Sequence, residues 1–214
     1  MTDPILLLGG HGSTAAARAA VEGALRKALG PAVVLHSIGG PVDVLGGLAW
    51  WDGELSESDW PALVALLDGT AAALGLGDTA IVVAGFSQGG AAALAWAAAS
   101  ARAQPLAGVV CVAGFLPACV AAALAAGAAL LPPALVVITE DDEVVDPFLG
   151  GIAARTLRRA GAVVADVAVG AGHEWTAAAT SAVVDWLATV GHRGRSKPGG
   201  FGTGGADDCP IGRS

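Results

Sequence analysis

Ser87 sits in the run Gly85-Phe86-Ser87-Gln88-Gly89, with glycine two residues away on either side. A serine hydroxyl is a weak nucleophile until a neighbouring base takes its proton, and the base in turn needs an acid to fix its tautomer. Four histidines could supply the base. His36 lies within an apolar run and reads as a packed or sheet-edge residue, and His192 falls in a glycine-rich C-terminal stretch. That leaves His11 and His173, both in glycine-rich loops. His173 follows the last β-rich run and precedes the last helical one, where a loop histidine can reach across to the serine. The acids available are Glu140, Asp141, Asp142, Glu143 and Asp146, all in one loop, and their spacing does not single one out; Asp146 before Pro147 reads as a helix N-cap. The chemistry these types could perform is attack on a carbonyl carbon with transfer of an acyl group. Such attack also needs donors for the oxyanion. The backbone amides of Gln88, next to the serine, and of His11, in the first loop, are the candidates.

Small neighbours matter because a serine on a sharp strand-to-helix turn leaves no room for side chains two residues away. With 32 glycines in 214 residues, however, the five-residue pattern alone is a weak signal. Its context strengthens it. Ile81-Val82-Val83-Ala84 reads as a buried strand directly before it, and the Ala-rich run from Gln88 to Ser100 as a helix directly after it.

The same alternation runs along the chain. Strands are predicted at Ile5-Leu8, Val33-Ser37, Thr79-Ala84, Gly108-Val112, Ala134-Ile138 and Ala162-Val169. Helices are predicted at about 15–30, 57–75, 88–101, 118–127, 147–160 and 175–189. This pattern implies an α/β fold with a mostly parallel sheet of about six strands and helices on both faces. In such sheets ligands gather at the carboxyl ends of the strands, where His11, Ser87, the acid loop and His173 lie. One domain is expected over 1–190, followed by a flexible Gly-rich tail over 191–214.

Bulk properties remove several classes of function. A net charge of −8 disfavours nucleic acid and anionic lipid surfaces. The uncharged stretch from Ala103 to Thr139 is long enough for a membrane helix, yet Pro117 and Pro132-Pro133 break it. It reads as buried strand, helix and strand. Cys111, Cys119 and Cys209 form neither a CxxC pair nor a disulfide framework, and Cys111 and Cys119 read as small buried hydrophobes. The short apolar run after Met1 lacks a basic flank, so a cytoplasmic location is expected.

Taken together, these residues resemble the phospholipase/carboxylesterase family of α/β-hydrolases, which includes acyl-protein thioesterases and small bacterial carboxylesterases. The family's GFSQGG motif stands at Gly85 to Gly90. Gly114-Phe115-Leu116-Pro117 is similar to its SGFLP segment, Gly172-His173-Glu174 to its GHE motif, and Trp50-Trp51-Asp52 to its W-F-D segment. Asp142-Glu143-Val144-Val145 resembles its D-x-x-V acid motif, and this resemblance selects Asp142, with Asp141 in reserve. The resemblance spans about Pro4 to Val190. The sequence departs from the family pattern twice: the first loop reads Gly9-Gly10-His11-Gly12 in place of H-G-x-G, and Ile138-Thr139 stands where His-Gly is usual.

The resemblance implies a Ser87–His173–Asp142 triad, hydrolysis of carboxylic esters, and no metal or cofactor; the compact chain, with no long insertion to form a large lid, favours small or medium acyl chains. The resemblance also implies an apolar acyl site lined by Trp50, Trp51 and Phe115, which could equally be core aromatics. The expected partner is a small-molecule ester, without nucleic acid or membrane insertion; a homodimer is left open. The alternatives are a thioesterase, a lactone or dienelactone-type hydrolase, and an inactive binding protein on the same fold.

Overall fold

The computed structural model describes residues 3–100, 102–127 and 131–193. In chain order the elements are β1 (Ile5–Leu8), α1 (Ala15–Leu29), β2 (Leu35–Ile38), β3 (Val42–Val44), β4 (Gly47–Ala49), α2 (Trp60–Ala73) and β5 (Val82–Phe86). They continue with α3 (Gln88–Ala99), β6 (Gly108–Val112), α4 (Ala118–Ala125), β7 (Ala134–Thr139), α5 (Pro147–Arg159), β8 (Val164–Val169) and α6 (Ala177–Arg193). Six strands form one parallel sheet in the order β2-β1-β5-β6-β7-β8.

Alternation along each central strand divides the core in two. Leu6, Leu8, Val83, Val109, Cys111, Ala134 and Val136 face one layer, built with α2, α3, α4 and α5. Ile5, Leu7, Val82, Ala84, Val110, Val112, Leu135 and Val137 face the other, built with α1 and α6. Both faces of the central strands are apolar because both are covered, so these strands read as continuous hydrophobic runs. Helix α3 is buried nearly all round, and its alanines and glycines let it lie close to the sheet.

Differences from the sequence expectation are local. Strand β5 runs later than expected, through Phe86, because the parallel ladder with β6 continues to Val112. Strand β2 begins two residues later than expected and ends one later, at Leu35–Ile38, where it pairs with β1. The antiparallel hairpin β3–β4 was not foreseen. Its strands have three residues each, too short for a periodic signal, and they turn at Leu45-Gly46 with Gly46 at φ 97°. Helix α6 extends to Arg193, past the expected start of the tail. The rest of that expected tail, with Cys209, lies outside the described residues. Cys111 and Cys119 are buried and free, as expected, and His36 lies on the sheet-edge strand β2. No described helix is long and apolar enough to cross a membrane.

Candidate active site

Ser87 is the single residue between β5 and α3. Its backbone sits at φ 54°, ψ −123°, a conformation that costs a non-glycine residue of order 1–3 kcal/mol and persists only where its surroundings enforce it. Those surroundings are visible. The Ser87 amide donates to the Val112 carbonyl at 2.9 Å, and the Ser87 carbonyl accepts from Ala91 at 3.1 Å. A Cβ on Gly85 would run into the carbonyl of Gly89, and one on Gly89 into the carbonyls of Leu8 and Gly9. Both glycines of the motif are therefore required by contact, one within the turn and one against β1.

The Ser87 Oγ lies 2.9 Å from His173 Nε2, and His173 Nδ1 lies 2.8 Å from Asp142 Oδ2. An ionised Asp142 only accepts, so Nδ1 carries the proton and donates, which leaves Nε2 to accept from the serine hydroxyl. The histidine loop is tied to the acid loop by the backbone. Glu140 donates to the Val169 carbonyl at 2.9 Å and Asp141 to the Ala171 carbonyl at 3.0 Å. The ring of Phe86, adjacent to the serine, rests against His173 with centroids 4.9 Å apart.

Within the acid loop only Asp142 turns inward; Glu140, Asp141, Glu143 and Asp146 are exposed. Asp142 accepts from the Val144 and Val145 amides on Oδ1, at 2.9 and 2.8 Å, and from the Thr139 hydroxyl on Oδ2, at 2.7 Å, beside the His173 contact. Burial works to raise its pKa, but the hydrogen bonds from Val145, His173, Thr139 and Val144 outweigh burial and hold the carboxyl below its ordinary value. Asp146 caps α5 through the Phe148 amide at 2.9 Å, as its sequence position implied.

The first loop approaches the serine from the other side. A Cβ on Gly10 would sit 3.2 Å from the Ser87 Cβ and 3.1 Å from Phe86 Cδ1, tighter than ordinary contact, so a larger residue would need the loop or its neighbours to give by a few tenths of an ångström. His11, the next residue, has an exposed side chain. The Gln88 amide heads α3, where no intrahelical acceptor exists.

Sequence reasoning missed the side chain of Gln88. Its Oε1 accepts from the Trp50 amide and its Nε2 donates to the Trp51 carbonyl, both at 2.9 Å and both buried. Trp50 Nε1 donates to the Gly9 carbonyl at 2.8 Å. The segment after β4 is thereby fastened to both α3 and the first loop. Trp50 and Trp51 are buried in the layer of α2–α5, and Phe115 is half-buried against that layer. Thr139 was also missed as an Asp142 partner; the signal available was a hydroxyl at a strand end three residues before an acid. No group of three or more His, Cys, Asp or Glu able to hold a metal occurs among the described residues.

Residues 2–190 match the profile of the phospholipase/carboxylesterase family. The chain belongs to that family. It is thus a carboxylesterase/thioesterase-type α/β-hydrolase, a class of enzymes acting on ester bonds. Among solved structures it is similar to the esterase PE8, with 24% identity over 88% of this chain and 93% of that one, at a TM-score of 0.73. It is similar to Arabidopsis thaliana SOBER1 at 20% identity, 88% and 98% coverage and a TM-score of 0.70. Zea mays acyl-protein thioesterase 2 shares 23% identity, with 88% and 94% coverage and a TM-score of 0.64. At these identities the likeness concerns the fold. No curated protein matches the sequence.

Proposed function

We propose that this family member hydrolyses carboxylic esters of small or medium acyl chains through an acyl-enzyme on Ser87. The observation that carries the reading is the unbroken relay from Ser87 Oγ through His173 to Asp142, with contacts of 2.9 and 2.8 Å. His173 Nε2 takes the hydroxyl proton as Oγ attacks the carbonyl carbon, and Asp142 stabilises the imidazolium that forms. The oxyanion is received by the amides of Gln88 and His11. Collapse breaks the bond to the alcohol oxygen, which leaves with the proton from Nε2. Water, deprotonated by the same nitrogen, then attacks the acyl-enzyme and releases the acid. In this reading the acyl group lies toward the α2–α5 layer, where Trp50, Trp51 and Phe115 gather.

The test is hydrolysis of p-nitrophenyl esters of increasing acyl length by wild type and Ser87→Ala side by side. Turnover by the first and its loss in the second is the expected result; equal rates would overturn the assignment. The chain's likeness to Zea mays acyl-protein thioesterase 2 favours a thioester as the second reading. Oxygen esters and thioesters of one acyl group, compared directly, distinguish the two. Labelling by a fluorophosphonate separates either from an inactive binding protein, which would stay unlabelled.

A further inference from the structure

Next to Phe86 and Gly10, which both adjoin Ser87, and on the α1 side of the sheet away from Trp50 and Trp51, lies an apolar cavity of about 190 Å³. Its walls include Leu7 of β1, Gly10 of the first loop, Ala17 and Val21 of α1, Phe86 before the serine, and Trp175 two residues past His173. Trp175 is held in place by its ring N–H, which donates to Thr180 Oγ1 at 3.0 Å. Arg18 also borders the cavity, and its guanidinium is engaged by the carbonyl and hydroxyl of Ser13 at 3.0 and 3.1 Å. The remaining lining is almost wholly apolar.

We infer that this cavity receives the apolar alcohol portion of the ester, while the acyl portion lies on the opposite, α2–α5 side. The inference rests on the ester-hydrolase reading above. Three observations carry it. Ser87 stands at the sheet's carboxyl edge between the two layers, so the two halves of an ester on its Oγ can diverge toward different faces. The alcohol must lie on the histidine side, because its oxygen takes the proton from Nε2 as the C–O bond breaks and the electron pair passes to that oxygen. Phe86 both rests against the His173 ring, tilted by 41°, and walls the cavity, and Trp175 comes from the histidine's own loop, so the histidine side is the cavity side. Gly10 adds a fourth, permissive feature: it places no side chain between Ser87 and Phe86.

The alcohol influences acylation and is gone before deacylation, so kcat/KM is the quantity that reports on it. In one series acetate esters of methyl to hexyl alcohol are compared; in a second, methyl esters of acetic to hexanoic acid. Wild type is expected to prefer hexyl over methyl acetate by about tenfold or more in kcat/KM. Ala17→Phe, which projects a ring into the cavity from the surface of α1, is expected to erase that preference. It should leave the optimum of the acyl series at the same length. Val21→Ala, which enlarges the cavity, is expected to move the alcohol optimum to longer chains, and it tests the idea even if Ala17→Phe folds poorly. Active enzyme is counted by fluorophosphonate titration.

An alcohol preference untouched by both variants would overturn the inference. A shift of the acyl optimum instead would overturn it in favour of an acyl pocket. The underlying reading fails in a different place: wild type would turn over neither series, or Ser87→Ala would match it, and the inference would then fall too.

Discussion

The two sides of Ser87 are built differently. On one side, Asp142 and His173 form a relay of side chains, and the carboxylate alone takes hydrogen bonds from Thr139, Val144, Val145 and His173. On the other, the loop Gly9–Ser13 brings up backbone, with glycine at the point of closest approach and the His11 side chain turned to solvent. The acid–base side depends on which residues are present. The amide side depends on which are absent, since a Cβ at Gly10 would press on Ser87. The difference teaches that the same reaction can require chemistry at one position and merely space at another.

The largest effects expected lie at the relay itself. Ser87→Ala and His173→Ala should each lower kcat/KM by several orders of magnitude, as removal of members of such a unit does. A variant keeping more than about a tenth of the activity would dissolve the distinction between the two sides. Next comes the acid. Asp142→Asn should reduce kcat by roughly 10⁴, the scale set when such an acid can no longer hold the tautomer. Asp141→Asn, at an exposed position, should cost less than about threefold. The reverse order would reassign the acid.

On the amide side the contrast should run the other way. Gly10→Ala should lower kcat by roughly tenfold to a hundredfold by pushing the loop off the serine, as small misplacements near the reacting atoms do. His11→Ala, one residue along, should cost less than about threefold because the proposed mechanism draws only on its amide. Equal losses at the two positions would mean that the His11 side chain takes part. Thr139→Val removes one donor to a buried carboxylate, worth about 1–3 kcal/mol, so kcat should fall roughly tenfold while KM changes little.

The smallest effect concerns stability. Because the folded Asp142 carboxyl is held below its ordinary value, it contributes stability that is fully present above the unfolded pKa near 3.9. That contribution is lost as pH falls through the folded value. The Tm gap between wild type and Asp142→Asn should therefore be widest near neutrality and narrow below about pH 4. A gap that stays constant to pH 3 would argue that the carboxylate is not specially stabilised.

Much of this was legible without coordinates because the chemistry-bearing residues follow strands. Buried parallel strands announce themselves as apolar runs, and Ser87, Asp142 and His173 each lie just beyond one. Asp142 was separated from its neighbours only by resemblance to a family motif. Nothing in the string Glu140-Asp141-Asp142-Glu143 says which carboxylate turns inward; the fold shows it by giving Asp142 alone the partners Thr139, Val144, Val145 and His173. The hairpin β3–β4 and the Gln88 bridge to Trp50 and Trp51 were illegible for a related reason. Three-residue strands carry no period, and a hydrogen bond between residues 38 apart leaves no local trace.

The sequence by itself determined the order of elements, the glycine-flanked turn and the types of the groups proposed to react. These follow from short-range rules, namely hydrophobic period, turn sterics and side-chain chemistry. The tertiary structure alone decided the partners of each group: which acid meets the histidine, what clamps the first loop, and where an apolar cavity remains. Those are set by contacts between segments far apart in the chain, which become neighbours only once the sheet brings its strand ends to one edge.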